Sequence, residues 1–199
     1  MNISMFGPAR ALSSNLNGLS ELLRRAVVEV RSGGSGSGTG IIWGGAGLVV
    51  TNAHCVQRGA GVQVGGQGKW READALAYHP QHDLALLAAP SVSGPLLEIR
   101  DPESLRPGEL VFAHGHPLGV HDALAMGVIH AVTRDERTSY ARWIVADVRL
   151  APGNSGGPLV DADGRLVGIN SMVVNGLGVA VPAGLVQRFV EKALERRAA

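Results

Sequence analysis

The chain has 199 residues, enough for one compact domain or two small subdomains, and 45% of them are hydrophobic. Its formal net charge of +1, without a block of like charge, argues against a nucleic-acid-binding protein. The single cysteine excludes an internal disulfide and a cysteine-rich metal site. No apolar run has the roughly 18 residues of a membrane-spanning helix, and residues 1–10 lack the apolar run of a secretory signal. We therefore expect no membrane span, and a cytoplasmic protein as written unless a leader has been removed.

The two ends of the chain are predicted to form helices. Residues 15–25 place leucines on one helical face, with Ser14 or Asn15 as a plausible cap. Residues 183–197 carry an apolar stripe and end in basic side chains, which suit the negative end of the helix dipole. The stripe of the C-terminal helix is interpreted as core packing, whereas that of the N-terminal helix could equally be a subunit contact.

Short runs rich in β-branched residues, separated by glycine-rich breaks, fill the space between the helices. The connection at 89–108 contains four prolines and is predicted to be irregular. About six runs precede it and about six follow, at the spacing of an all-β barrel or sandwich. We expect an N-terminal segment at 1–25, two similar β halves at 26–100 and 101–182, and a C-terminal helix at 183–199. The predicted strands are 26–31, 39–43, 48–51, 61–64, 70–78, 83–88, 110–113, 123–133, 143–148, 158–161, 165–171 and 178–181.

The segment Gly-Asn-Ser-Gly-Gly-Pro at 153–158 is the first candidate for chemistry. A serine hydroxyl becomes an effective nucleophile when a base takes its proton and hydrogen-bond donors receive the charge on the substrate oxygen. Gly153 allows a backbone conformation that aims the N–H groups of Gly153 and Ser155 into one oxyanion pocket. Because a glycine-rich turn with an incidental serine is the alternative, the motif needs partners elsewhere in the chain.

Two further segments supply those partners, Thr-Asn-Ala-His-Cys-Val at 51–56 and His-Asp-Leu-Ala-Leu-Leu at 82–87. His54 follows an apolar strand, where its imidazole can accept the proton of Ser155 because it titrates near neutral pH. Asp83 stands at the start of another strand, where a carboxylate would orient the imidazole and stabilise the imidazolium. The chain order of these three residues is that of the chymotrypsin-type catalytic triad.

The remaining candidates are interpreted as structural. Cys55 follows the histidine of the first partner segment, but adjacent side chains diverge, so a small buried hydrophobe is expected rather than a thiol nucleophile. A metal site could be built from His114, His116, His121 and Asp122, but no His-Glu-x-x-His or comparable signature supports it, and no metal is expected. Surface or packing roles are expected for the histidines at positions 79, 82, 114, 116, 121 and 130.

The three segments together closely resemble trypsin-like serine proteases of the HtrA (Deg) branch. Gly-Thr-Gly at 38–40, Gly-His-Pro-Leu-Gly at 115–119 and Gly-Val-Ala-Val-Pro at 178–182 are also similar to that branch. The resemblance runs from about residue 27 to residue 190 and implies a chymotrypsin-like fold of two six-stranded antiparallel β-barrels with short terminal helices. In that fold the histidine and the aspartate come from the first barrel and the serine from the second.

The resemblance also implies a function. It predicts a serine endopeptidase that cleaves unfolded or damaged polypeptides through an acyl-enzyme, with an oxyanion hole at Gly153 and Ser155 and without metal or cofactor. The chain looks like a protease domain without the PDZ domain usual in the branch. Members often trimerise through N-terminal segments, for which Met5 and Phe6 could serve. Loops at 115–121 and 134–142 shift between competent and disordered forms in the resembled family, so the competence of the resting site is left open.

Substrate preference is predicted from residues near the nucleophile. In trypsin-like enzymes the residue six before the serine forms the floor of the specificity pocket, and here it is Arg149, which argues against cleavage after Lys or Arg. The HtrA resemblance suggests instead that Leu150, Leu177 and Val179 line a shallow apolar pocket, so cleavage after Val, Ala or Leu is expected. Arg149 is interpreted as solvated; turned inward, it would favour acidic residues. A non-catalytic or chaperone-like binding module on the same fold is the alternative function.

Overall fold

The computed structural model of the chain describes residues 7–33, 37–45, 47–134 and 141–198. The strands in these residues form two closed six-stranded antiparallel barrels, which confirms the predicted fold class. The first barrel contains β1 (Val27–Ser32), β2 (Ser37–Trp43), β3 (Leu48–Thr51), β4 (Val62–Gly66), β5 (Lys69–His79) and β6 (Leu84–Ala88). The second contains β7 (Leu110–Gly115), β8 (Ala123–Arg134), β9 (Ala141–Asp147), β10 (Pro158–Asp161), β11 (Leu166–Val174) and β12 (Leu177–Pro182).

Both barrels have the same strand order. In the first, neighbouring strands follow the order β1-β2-β3-β6-β5-β4, and β4 pairs with β1 to close the sheet. The second follows β7-β8-β9-β12-β11-β10, and β10 pairs with β7. Closure leaves neither sheet with an unpaired edge. The repeated order is therefore the structural counterpart of the two similar halves predicted from the sequence.

Strand β6 is apolar on both faces because each face packs in a different hydrophobic cluster. In β6, Leu84 and Leu86 join an apolar cluster that also contains Phe112 and Val181 of the second barrel. The alternate residues of β6 point into a separate cluster inside the first barrel. The interface between the barrels is thus a hydrophobic core shared by both, and it holds the two barrels together.

The two terminal helices also pack on this shared core. Helix α1 (Gly7–Ala26) buries Leu23 completely and packs Leu16 and Leu19 against the shared cluster, and helix α2 (Ala183–Ala198) buries Val186 and Val190 there. The leucine face of α1 is therefore a core contact. No helix among the described residues combines the length and the apolar character needed to cross a bilayer.

Helix α1 begins eight residues earlier than the sequence pattern predicts. The described side chains from Ala9 to Ser13 are exposed, and Leu12 is 58% accessible to solvent. Those residues carry no apolar stripe, so hydrophobic periodicity does not detect them. Met5 and Phe6, predicted as candidate trimer contacts, lie outside the described residues.

Candidate active site

His54 projects from a short turn at the end of a buried strand. Strand β3 ends at Thr51, and the chain then forms a single 3₁₀ turn over Ala53–Cys55. The turn leaves the His54 side chain half exposed, whereas Asn52 directly before the turn is fully buried. The Asn52 Nδ2 donates to the main-chain oxygen of Asp83 at 2.9 Å, which ties the histidine turn to the start of β6.

Asp83 occupies an uncommon backbone conformation between a 3₁₀ turn (Pro80–His82) and β6. Its φ of 54° lies in the left-handed region, which Asp tolerates better than most residues. The carboxylate is 15% exposed and lies 2.8 Å (Oδ2) and 3.0 Å (Oδ1) from Nδ1 of His54. An ionised carboxylate accepts only, so Nδ1 carries a proton and the lone pair of neutral His54 is on Nε2. That tautomer is the one a general base at this position requires.

Hydrogen bonding couples the pKa values of these two residues in opposite directions. The hydrogen bond with Asp83 raises the pKa of His54 from 6.5 to about 10. Burial works to raise the pKa of Asp83, but the hydrogen bonds from His54 and Ser171 outweigh burial and hold that pKa below its ordinary value. The pair therefore favours an ionised Asp83 beside a readily protonated His54.

Ser171 links the aspartate to the candidate nucleophile. Its Oγ donates to Asp83 Oδ2 at 2.6 Å, and its main-chain oxygen accepts from the Ser155 hydroxyl at 3.1 Å. In the register of β11 against β12, Asn170 pairs with Ala180 and Met172 with Val179, so Ser171 is the extra residue of a bulge. Bulges redirect a side chain out of the regular alternation. Among the described residues, no hydrogen bond joins His54 to Ser155.

Sequence reasoning did not identify Ser171 or Asn52. Both are polar residues buried next to apolar strand positions. Buried polar groups need partners, so this pattern was a usable signal. The identity of the partner depends on contacts 88 residues away for Ser171 and 31 residues away for Asn52.

Gly153 has a backbone conformation that only glycine adopts readily. Its φ is +106°, and a Cβ atom at this position would overlap the main-chain oxygen of His116. Thr39 of β2 fixes the two carbonyls that flank the serine: its Oγ1 donates to the Gly153 oxygen at 2.7 Å, and its N–H donates to the Ser155 oxygen at 2.8 Å. A strand of the first barrel therefore holds the serine loop of the second.

The peptide orientations leave the two predicted oxyanion donors unpaired. The oxygen of Pro152 accepts from the Leu118 N–H at 2.9 Å, and the oxygen of Asn154 accepts from the Gly157 N–H at 3.0 Å. In a trans peptide the C=O and N–H point in opposite directions. The N–H groups of Gly153 and Ser155 therefore point away from those partners, and neither donates to another described residue.

The predicted pocket residues are only partly brought together. A Cβ atom at Gly178 would lie 3.0 Å from Cδ1 of Leu150, so Leu150 packs on the Gly178 face of β12. Leu177 and Val179 alternate with Gly178 and point to the opposite face of that strand. Val173 pairs with Gly178 across the sheet and shares its face with Leu150. On the Leu150 face, Gly178 therefore has Val173 beside it rather than Leu177 or Val179, and the sequence reasoning did not name Val173.

Four side chains near the candidate site are those that the sequence analysis interpreted as solvated or structural. Arg149 is exposed, and Cys55 is half-buried against the core of the first barrel with its Sγ 3.7 Å from the Ser155 oxygen. Burial lowers the pKa of His114 to about 4, so this fully buried histidine is neutral. Burial also lowers the pKa of His116. His116 lies next to His121, with which the sequence analysis grouped it, and next to Glu29, which the sequence did not indicate.

A His–Asp pair on one six-stranded barrel and a glycine-flanked serine on the next define the class of chymotrypsin-fold serine hydrolases. The family described as trypsin-like peptidase domain matches residues 38–169. The chain belongs to that family. The matched region contains all three predicted triad residues, every strand from β3 to β10 and all but the first residue of β2.

Known proteins similar to the chain carry HtrA and Deg names. The putative serine protease HhoB of Synechocystis sp. is 33% identical over 165 residues, which are 78% of this chain and 40% of that protein. Serine protease HTRA4 of Mus musculus is 34% identical over 185 residues, 89% of this chain and 38% of that protein. A solved HtrA-type protease, AlgW with a tripeptide, superposes with a TM-score of 0.80 at 28% identity, covering 90% of this chain and 63% of its own. The chain thus spans well under half the length of these curated relatives.

Proposed function

We propose that this chain is a serine endopeptidase of the HtrA type, which cleaves unfolded or damaged polypeptides through an acyl-enzyme. The observation that carries the proposal is the connected set of hydrogen bonds from His54 through Asp83 and Ser171 to Ser155, in a member of the trypsin-like family. The tripeptide held by the similar HtrA-type protease supports a peptide substrate. In this proposal Ser155 is the nucleophile, His54 the base and Asp83 the residue that orients the base.

The proposed reaction proceeds in two acyl-transfer steps. Oγ of Ser155 attacks the carbonyl carbon while its proton moves to Nε2 of His54, and Asp83 stabilises the imidazolium. The N–H groups of Gly153 and Ser155 receive the negative charge on the substrate oxygen. His54 then protonates the leaving amine as the C–N bond breaks. Water, deprotonated by His54, cleaves the acyl-enzyme and restores Ser155.

Breaking the resting hydrogen bond from Ser155 to the main-chain oxygen of Ser171 costs little free energy. To reach His54, the Ser155 hydroxyl exchanges one neutral hydrogen bond for another, and such a bond contributes only about 1 kcal/mol net. The unpaired N–H groups of Gly153 and Ser155 support a site that needs no peptide flip before reaction. We therefore propose that the resting site is competent.

Covalent labelling with a fluorophosphonate probe tests the nucleophile. We expect the probe to modify the wild-type protein at Ser155, and the wild type to hydrolyse an unfolded protein substrate such as casein. Ser155→Ala should lose both, whereas Ser93→Ala, at an exposed serine, should retain both. A folded wild-type protein that neither reacts nor hydrolyses would instead favour a binding module on the same fold.

We propose that substrates are cleaved after small or medium aliphatic residues. Leu150 and Val173 supply an apolar surface beside the side-chain-free Gly178, and burying one aliphatic side chain contributes roughly 1.5–3 kcal/mol. Sequencing the peptides from a digest of denatured proteins should find mainly Val, Ala or Leu before the cut. Leu150→Ala should shift that profile toward larger residues. A predominance of Lys, Arg, Asp or Glu in the wild-type profile would overturn the assignment.

A further inference from the structure

Three potential metal ligands converge on the side of the molecule where the two barrels meet. Glu29 lies on β1 of the first barrel, and His116 and His121 lie in the loop that joins β7 to β8 of the second. One oxygen of Glu29 and one ring nitrogen of each histidine lie within 4.8 Å of one another. We name these three residues the inter-barrel cluster. It uses no residue of the proposed triad, oxyanion hole or substrate pocket.

One carboxylate oxygen of Glu29 is buried and, among the described residues, accepts no hydrogen bond. The residue is 7% exposed, and its Oε1 accepts no hydrogen bond from a described residue. Nδ1 of His121 lies 2.8 Å from Oε1, but the approach lacks hydrogen-bond geometry. A buried carboxylate without a well-directed partner is costly, and a bound cation is one way to offset that cost.

The tautomer of His116 leaves a lone pair that faces other acceptors. The hydroxyl proton of Thr39 is donated to the Gly153 oxygen at 2.7 Å, so Thr39 Oγ1 can only accept from Nδ1 of His116 at 3.3 Å. Nδ1 therefore carries the proton, and Nε2 of the neutral ring carries the lone pair. Nε2 faces Oδ1 of Asp122 at 3.6 Å, which is also an acceptor. Two acceptors that face each other without a proton repel, and a cation between them would remove that repulsion.

The donor set and the available space suit a transition metal. Two imidazole nitrogens and carboxylate oxygens are the ligands of tetrahedral Zn²⁺, with bonds of about 2.0–2.2 Å and hence about 3.3 Å between ligand atoms. The Nε2–Asp122 spacing is close to that value, and the Glu29–His121 pair needs to open by about half an ångström. A Cβ atom at Gly66 would lie 3.0 Å from Glu29 Oε1, so the glycine keeps space beside the carboxylate open.

We propose that Glu29, His116 and His121, with Asp122 beside them, form a binding site for Zn²⁺ or a similar divalent transition metal that connects the two barrels. The hydrogen bond from His116 to Thr39 would orient the metal-binding ring, as outer hydrogen bonds commonly do for histidine ligands. This site is distinct from the proposed catalytic centre, and the proposal departs from the expectation that the chain binds no metal.

Calorimetric titration of the metal-free full chain with Zn²⁺ tests the site directly. We expect one saturable site in the wild type and at least a tenfold weaker affinity in His121→Ala and in Glu29→Gln. His130→Ala, which removes an exposed histidine of β8 outside the cluster, should bind as the wild type does. Zn²⁺ should also raise the melting temperature of the wild type and of His130→Ala, but not that of His121→Ala.

Every outcome of this titration bears on the proposal. His121 is exposed, so its alanine variant should fold, and circular dichroism verifies this even if Glu29→Gln does not fold. Absence of saturable binding to the wild type would leave Glu29 and His121 as an ion pair and overturn the site. Binding that both cluster variants retain would locate the metal elsewhere, for example at the stacked rings of His79 and His82. Fluorophosphonate labelling that persists in a chelator would separate this metal from catalysis.

Discussion

At the scale of single residues, the Asp83 carboxylate is the point where the candidate active site is assembled. The carboxylate accepts hydrogen bonds from the main-chain N–H and the ring of His54 and from the hydroxyl of Ser171. The side-chain amide of Asn52 donates to the main-chain oxygen of Asp83. The donors of His54 and Asn52 come from the turn after β3 and the residue before it, and the donor of Ser171 comes from β11 of the other barrel. Replacing the carboxylate should therefore affect the tautomer of His54 more than the stability of the fold.

Asp83→Asn should lower kcat/KM by roughly 10⁴, because an amide no longer requires the proton of His54 to be on Nδ1. The measurement is hydrolysis of a peptide with an aliphatic residue before the cut, with folding verified by circular dichroism. Asp74→Asn, at an exposed acid of β5, serves as the control and should stay near wild type. A loss of less than tenfold in Asp83→Asn would contradict the orienting role.

The raised pKa of His54 predicts the pH dependence of the activity. Only neutral His54 acts as a base, so kcat/KM should increase with pH through a transition on the alkaline side of 6.5, the ordinary pKa of histidine. The residual activity of Asp83→Asn should show that transition at a lower pH, because the hydrogen bond that raises the pKa is weakened. A wild-type profile with its transition below 6.5 would contradict this coupling.

Ser171→Ala should reduce catalysis without changing substrate binding. The variant removes a 2.6 Å hydrogen bond to the carboxylate, and such a bond to a charged group contributes about 1.5–3 kcal/mol. We expect kcat to fall by roughly 10- to 100-fold while KM stays close to the wild-type value. Ser171→Thr, which keeps a hydroxyl, should restore part of the loss. An unchanged kcat in the alanine variant would show that Ser171 does not position Asp83.

At the scale of the elements, the loop before the nucleophile depends on glycine at one position where space and dihedral angle act together. Gly153→Ala should abolish peptide hydrolysis, because a methyl group would push against the His116 carbonyl and turn the oxyanion N–H. Gly59→Ala is a matched control: its φ is +79°, but a Cβ atom there meets nothing within 4 Å. It should retain activity and lose at most about 1 kcal/mol of stability. Equal activity in the two variants would contradict the steric argument.

Strand boundaries followed the apolar patterns closely in the interior and less closely in exposed hairpins. The predicted limits 48–51 and 158–161 coincide with β3 and β10, whose residues are largely buried. Strand β11 runs three residues beyond its predicted end, through Met172, Val173 and Val174, which are all exposed. These residues pair with β12 in a hairpin, so backbone hydrogen bonding rather than burial extends the strand.

At the scale of the whole molecule, the hydrophobic core that both barrels share holds the His54–Asp83 pair of one barrel against the Ser155 loop of the other. Leu86→Ala should lower the free energy of unfolding by about 2–5 kcal/mol, because it leaves a cavity at a fully buried position of that core. Leu12→Ala on the exposed part of α1 should change it by no more than about 0.5 kcal/mol. Chemical denaturation measures both. Similar values for the two variants would contradict the structural role of the shared core.

Local pattern was enough to predict most strands, and it indicated the residue types of the proposed triad. Strand periodicity reflects burial, and the glycines, histidine, aspartate and serine carry their chemistry in short segments that sequence alone displays. The chain order of His54, Asp83 and Ser155 then favoured the chymotrypsin-type fold. The comparisons and the two closed barrels agree with that prediction.

Long-range packing supplied what the patterns lack. Ser171 reaches Asp83 across 88 positions, Thr39 reaches Gly153 across 114, and Glu29 meets His121 from the other barrel. Such contacts depend on barrel closure and on how one barrel is oriented against the other, which no short segment encodes. Local sequence therefore predicts the proposed nucleophile and base, whereas the residues proposed to orient them, and the inter-barrel cluster, come together only when distant strands pack.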